Sequence, residues 1–226
     1  MSTQRTILIT GGNRGIGLSL ARSFHAQGFK VIVGVREISK APQLDGVIAV
    51  KIDSASETDA RDAVEELKSK YDIETLDVVI ANAGMGSHYA PMKDIDLAEF
   101  RDHYRVNTQG PLVLFQAVYP LLKEGSKFII ISSALGSIGL DHDPNVGVYG
   151  SSKAAVGYLG RQIHFEEPHL ISFFIDPGWL DTAMGQYVAD QFGVAKPPMK
   201  VEDIIPQLVK LINNATRENT SGYFWK

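Results

Sequence analysis

The stretch Thr10–Phe24, TGGNRGIGLSLARSF, follows the short apolar run TILIT at 6–10 and opens an amphipathic pattern of helical period. A glycine-rich turn between a strand and a helix is a phosphate-binding device. Glycine lets the backbone turn sharply and approach the ligand, and the exposed N–H groups of the helix start face the anion. Gly11 and Gly12 leave the strand, and Gly15 and Gly17 begin the helix. The spacing is Gly-x-x-x-Gly-x-Gly, distinct from the commoner Gly-x-Gly-x-x-Gly of dinucleotide sites.

Outward from this turn, apolar runs alternate with helical patterns. KVIVGV (30–35), GVIAVKI (46–52), LDVVIAN (76–82), KFIIIS (127–132) and ISFFID (171–176) read as strands, with SGYFW near the end as a seventh. Their near-continuous apolar character is that of strands buried on both faces. In SETDARDAVEELKSKY, Ala60, Ala63, Val64 and Leu67 share a helix face, and Ser56 with Asp59 reads as its cap. A helix reads from about Leu97 to Leu122. The expected fold is therefore a doubly wound, Rossmann-like α/β domain over residues 1–226, with seven parallel strands and helices on both faces. The segment from about 179 to 200 lacks clean periodicity and reads as a functional flap.

The bulk composition narrows the class. The 226 residues carry a net charge of -4, with no basic tract, which argues against a nucleic-acid binder. There is no cysteine, so disulfides and cysteine nucleophiles are excluded. No apolar run reaches the length of a membrane span, and the start lacks a signal-peptide pattern; a cytoplasmic protein is expected. DHDPN at 141–145 reads as a polar loop, and no metal site is expected. His88 reads equally as a cleft or a surface residue, while His164 and His169 read as structural.

In a doubly wound sheet, the ligand lies beyond the carboxyl ends of the strands. The second strand ends VGVRE, with Val35 where an acid would receive the ribose hydroxyls of NAD and Arg36 next to it. Arg14 lies within the glycine turn. Two guanidiniums converging on one ribose suit a 2′-phosphate, so NADP(H) is the expected cofactor. Glu37 could instead pair with Arg36 or accept a ribose hydroxyl.

The chemistry rests on VYGSSKAAVGYLG. Tyr149 and Lys153 are four apart on a predicted helix and share a face. A phenol near pKa 10 is a poor acid at neutral pH, and a neighbouring ammonium is expected to lower that value. Ser132 and Ser133 end the fifth strand, where a hydroxyl reaches the cleft. Asn107 sits inside the long helix, four residues before Pro111, so its carbonyl is expected to lack a helical donor and to kink the helix or hold a water.

With these motifs the chain resembles the short-chain dehydrogenases/reductases over nearly its whole length. TGGNRGIG is similar to their cofactor turn, ANAG (81–84) to their fourth-strand motif and YGSSK to their catalytic helix. The resemblance implies a catalytic set of Asn107, Ser133, Tyr149 and Lys153, with Ser133 preferred because it stands in Ser-x-x-Gly with Gly136. It implies cofactor contacts from Thr10, Gly11, Asn13, Arg14, Gly15, Ile16, Gly17 and Arg36. Asp53 would meet the adenine, and Asn82, Ala83, Gly84, Tyr149, Lys153, Pro177, Gly178 and Thr182 would complete the site. The gap between Ser133 and Tyr149, which includes LDHDPNV, is longer than is common in the family. Within it, SETDA, DVVIANAGM, LVLFQA, HFE and FIDPGWLDTAMG resemble fungal ketoreductases of the norsolorinic acid ketoreductase type, which act on aromatic polyketides.

Two segments, GMGSHYAPM and the flap, should wall the substrate cleft, with Met85, Tyr89, Trp179, Met184 and Tyr187 as the expected contacts. Aromatic and methionine side chains suit flat apolar rings. The expected activity is NADPH-dependent reduction of a ketone. Alternatives are an alcohol dehydrogenase running oxidatively, a β-ketoacyl reductase and a non-catalytic NADP sensor. Apolar stripes beyond the core-facing sides of the helix at 97–122 and the catalytic helix predict a homodimer or homotetramer.

Overall fold

A computed structural model describes residues 4–226. Seven parallel strands form one sheet in the order β3-β2-β1-β4-β5-β6-β7. They are β1 (Thr6–Thr10), β2 (Lys30–Val35), β3 (Ile48–Lys51), β4 (Leu76–Ala81), β5 (Leu122–Ile131), β6 (Ile171–Ile175) and β7 (Phe224–Trp225). Every residue of β1 and β6 is buried, as expected for strands covered on both faces. The order reverses between β1 and β4, so the crevice between their carboxyl ends is the topological switch point.

Two apolar layers sandwich the sheet. One packs Ile7, Ile9, Val31 and Val33 against Leu20 and Phe24 of α1 (Gly15–Ala26) and against Ile205, Leu208 and Ile212 of α7 (Val201–Asn214). The other packs Leu8, Ile32, Val79 and Phe128 against Val64 and Leu67 of α2 (Asp59–Tyr71), Leu114 and Val118 of α4 (Gly110–Val118), and Val156 and Ile163 of α5 (Gly147–Glu166). At the start of α2, the Asp59 N–H donates to Ser56 Oγ at 3.1 Å, and that hydroxyl donates to Asp59 Oδ1 at 2.9 Å. The expected Ser56–Asp59 pair is therefore made.

Three local readings are corrected. The expected helix from Leu97 to Leu122 is α3 (Leu97–Tyr104), then a wide π-turn at Arg105–Gln109, then α4 and a short 3₁₀ turn ending at Leu121. The missing N–H of Pro111 is absorbed by this widened turn, with the Gly110 N–H bonded to Arg105 O. The fifth strand begins at Leu122, before the apolar run, because Leu122 already pairs with Leu76 of β4 ahead of a register shift. The flap contains a helix, α6 (Ala183–Gln191), capped by Thr182 Oγ1, which accepts from the Gly185 N–H at 3.0 Å.

Candidate active site

The turn after β1 is built by close packing. Gly11 and Gly15 have φ of +66° and +53°, values that penalise a side chain. A Cβ on Gly17 would lie 2.4 Å from Gly11 O and 2.6 Å from Asn82 Nδ2, and one on Gly12 2.6 Å from Val33 Cγ1. Asn82 ties the turn to the end of β4, its Nδ2 donating to Thr10 O at 2.8 Å. Thr10 Oγ1 accepts from the Asn82 and Ala83 N–H groups, each at 3.1 Å. Beside this junction, Thr10, Asp53, Ala81, Ala83 and Gly110 line a narrow pocket. Asp53 is held there, its Oδ1 accepting from the Ala55 N–H at 3.0 Å.

Helix α1 starts without a side-chain cap and without an acid in its first turn. Its leading N–H groups and the open turn fit a pyrophosphate. Arg14 and Arg36 are exposed at the two strand ends that flank it. Glu37 is paired with Lys40 at 2.7 Å, and among the described residues neither Arg14 nor Arg36 has a salt-bridge partner. The competition expected of Glu37 for Arg36 is thus diverted to Lys40. Across the turn, the Thr182 methyl would stand 3.4 Å from a Cβ on Gly15, so the flap begins against the cofactor cradle. Gly178, at φ +80°, donates its N–H to Asp176 Oδ1 at 3.0 Å and follows the buried Pro177.

The catalytic candidates converge where β4, β5 and α5 meet. Gly136 and Gly150 permit the approach. A Cβ on Gly136 would lie 2.8 Å from the Lys153 carbonyl carbon, and one on Gly150 2.5 Å from Leu135 O. The 3₁₀ turn Ala134–Gly136 thereby sits directly on α5, which is the physical sense of the Ser-x-x-Gly spacing. Ser133, half-buried, is presented beside Tyr149, whereas Ser132 is buried. Ser133 Oγ accepts from the Leu135 N–H at 3.2 Å.

The proton affinities differ from the expectation that Lys153 would acidify Tyr149. Burial pushes the Tyr149 phenol up to about 12; the Ser133 hydroxyl opposes that rise and the Asp176 carboxylate adds to it. Burial also drives Lys153 down to about 8. Its Nζ donates to Ile131 O at 2.9 Å and stands 5.8 Å from the centroid of the Tyr149 ring. In both groups burial is the largest cause of the shift.

Asn107 is almost wholly buried, and its side chain is fully used. Oδ1 accepts from the Met85 N–H at 2.9 Å, and Nδ2 donates to Met85 O at 2.9 Å and to Ser152 Oγ at 3.0 Å. It therefore clamps the loop after β4 to α5. A Cβ on Gly84 would lie 3.3 Å from Asn107 Oδ1 and 3.6 Å from Lys153 Nζ, which brings these two residues to one spot. His103 and Ser152 were not foreseen. His103 Nε2 accepts from the Ser87 N–H at 3.2 Å, with Nδ1 bonded to Glu99 O at 2.8 Å. The signal was available, since His103 and Asn107 are four apart and share a helix face.

The substrate candidates form the opposite wall. Tyr89 packs on Tyr187 at 6.3 Å and on Phe192 at 5.8 Å between ring centroids, which joins the loop after β4 to the flap. Met184 and Tyr149 both approach Gly86. Trp179 braces the flap instead, donating from Nε1 to Gly185 O at 3.0 Å. Met85 is positioned through its backbone by Asn107. His88 has φ +56°, and its Nε2 is buried without a hydrogen-bond partner. Among the described residues there is no cluster of potential metal ligands and no helix long and apolar enough to cross a membrane.

This arrangement has relatives. The short chain dehydrogenase family model matches residues 5–192. The chain is 35% identical to the norsolorinic acid ketoreductase of Dothistroma septosporum, over 99% of this chain and 90% of that protein. It is 36% identical to that of Aspergillus parasiticus, over 96% and 86%. In fold it superposes on the carbonyl reductase Sniffer of D. melanogaster with a TM-score of 0.86 at 24% identity, covering 98% of this chain and 96% of that one. The chain belongs to the short-chain dehydrogenase family.

Proposed function

We propose that residues 1–226 form one NADPH-dependent ketoreductase domain that reduces aromatic, polyketide-like ketones. The observation that carries this reading is the convergence of Ser133, Tyr149, Lys153 and Asn107 beside a glycine turn and an aromatic wall. A reduced nicotinamide cofactor with its pyrophosphate at the glycine turn would supply hydride. Ser133 holds the ketone oxygen, and Tyr149 gives it the proton as the carbon–oxygen π pair moves onto oxygen. Lys153 binds the ribose and, charged, stabilises the phenolate left behind. Asn107 holds the loop and the proton path to solvent. A non-catalytic NADP sensor has no need of this combined set.

Arg14 and Arg36, free of internal partners, would hold a 2′-phosphate with paired donors. The substrate reading rests on Tyr89, Met184, Tyr187 and Phe192 and on likeness to norsolorinic acid ketoreductases. The protein is further taken as cytoplasmic and as a homodimer or homotetramer. Tyr158 and Phe165 are 69% and 58% exposed on α5, an apolar stripe that a second copy would cover. A monomer by light scattering at micromolar concentration refutes that assembly.

The test of function compares kcat/KM for a hydroxylated naphthalenone or anthraquinone ketone with that for a β-ketoacyl thioester. The aromatic ketone should be the better substrate with NADPH, and NADH should support slower turnover. A clear preference for the thioester overturns the substrate reading, and equal use of both cofactors overturns the cofactor reading.

A further inference from the structure

A second phenol, that of Tyr89, lies close to the Tyr149 ring. A Cβ built on Gly86 would lie 2.8 Å from Tyr89 Oη, 3.4 Å from Met184 Sδ and 3.4 Å from Tyr149 Cδ2. Both tyrosines therefore pack closely around Gly86, where there is no room for a side chain. The Tyr89 ring is held from behind by Tyr187 and by an edge contact with Phe192. Its loop is held from below by Asn107 on Met85 and by His103 on Ser87. Among the described residues, no protein group hydrogen-bonds Tyr89 Oη, although the polar contacts around its loop are otherwise extensive.

Resting on the ketone-reductase reading, we infer that Tyr89 is a specificity-determining residue. Its hydroxyl donates a hydrogen bond to a second oxygen of the substrate, adjacent to the carbonyl that Tyr149 protonates. The substrate class is then narrowed to aryl ketones with a hydroxyl or second carbonyl neighbouring the reacting one. The reaction remains the same: a bound nicotinamide cofactor would supply the hydride to the carbonyl carbon, and the new alcohol oxygen takes the Tyr149 proton. Tyr89 contributes only the added hydrogen bond, and no proton leaves it. Burial, with Tyr149 and Tyr187 close by, raises the Tyr89 phenol well above its ordinary pKa, so it stays a neutral donor.

A matched pair of ketones tests this: an ortho-hydroxyaryl alkyl ketone and its analogue lacking the hydroxyl. The parent enzyme should prefer the hydroxylated ketone by about tenfold in kcat/KM, the worth of one such bond in a dry site. Tyr89→Phe keeps the ring contacts and should erase that preference, lowering kcat/KM for the hydroxylated ketone about tenfold more than for the plain one. Gly86→Ala, which displaces the hydroxyl without deleting it, should erase it too, and carries the test if Tyr89→Phe is poorly folded. A Tyr89→Phe enzyme that keeps the preference, or slows both ketones equally, overturns the role of Tyr89 alone. A parent enzyme that reduces neither ketone with NADPH overturns the ketone-reductase reading, and this inference with it.

Discussion

The two halves of the site are built from different materials. On the cofactor side, backbone meets backbone, Gly17 against Gly11 O and Gly136 and Gly150 at the junction of α5 with its neighbouring turn, and the Asn82 side chain fastens Thr10 O. On the substrate side, flexible or flat side chains meet one another: Tyr89, Tyr187, Phe192 and Met184. Backbone contacts cannot relax, so the first half admits one ligand geometry. Rings and thioethers repack, so the second half can be retuned without loss of the fold. Tyr149, the proposed proton donor, stands on the boundary between the two.

The largest expected effect is at that boundary. Tyr149→Phe removes the proposed proton donor and leaves the glycine turn untouched. Turnover should fall on the order of a hundredfold or more, with NADPH binding, read by fluorescence, close to the parent. Near-parent kcat in this variant would move the chemistry off Tyr149.

A pair of glycine substitutions probes the contrast directly. Gly17→Ala forces a Cβ to 2.4 Å from a carbonyl oxygen and should cost about 1–3 kcal/mol of stability, along with most of the cofactor affinity. Gly193→Ala, in the flap, meets no atom within 4 Å and bears only the strain of φ +66°. It should melt closer to the parent and bind cofactor normally. Equal losses in both variants would mean that the flap is as rigid as the turn.

The smallest effect is a pH dependence. Lys153 is held at about 8 in the fold against an ordinary 10.5, so the folded state disfavours its charged form. That penalty is fully present below pH 8 and is relieved as pH rises from about 8 toward 10.5. Tyr149, raised to about 12 from 10, stays neutral over the same window and adds a penalty only above about 10. Stability should therefore gain on the order of a kcal/mol from Lys153 between pH 8 and 10. Lys153→Met should flatten this component of the melting curve. An unchanged pH profile in the variant would show that the lysine is better solvated than its burial implies.

The contrast also explains what could be read before the fold was known. The glycine turn, the Tyr149–Lys153 spacing and the alternation of strand and helix were legible in the amino-acid order. Each expresses a local rule: a backbone conformation only glycine adopts freely, two side chains one helical turn apart, a strand apolar on both faces. The Ser-x-x-Gly spacing on which the preference for Ser133 over Ser132 rests was also legible, and in the fold its Gly136 packs against α5. The π-turn around Asn107 and the helix within the flap were not, because they depend on how Pro111 is accommodated and on packing across residues 179–200. Least legible were the proton affinities and the place of Tyr89. The spacing put an ammonium beside a phenol and implied a lowered pKa; burial of both groups reversed the sign. Tyr89 reads in sequence as one aromatic among several. Only the folding of its loop over Gly86, held by residues from α3, the π-turn and the flap, brings its hydroxyl to the edge of the Tyr149 ring. Local conformation is set by neighbours along the chain, whereas desolvation and convergence are set by residues far apart in it, and these wait for the tertiary structure.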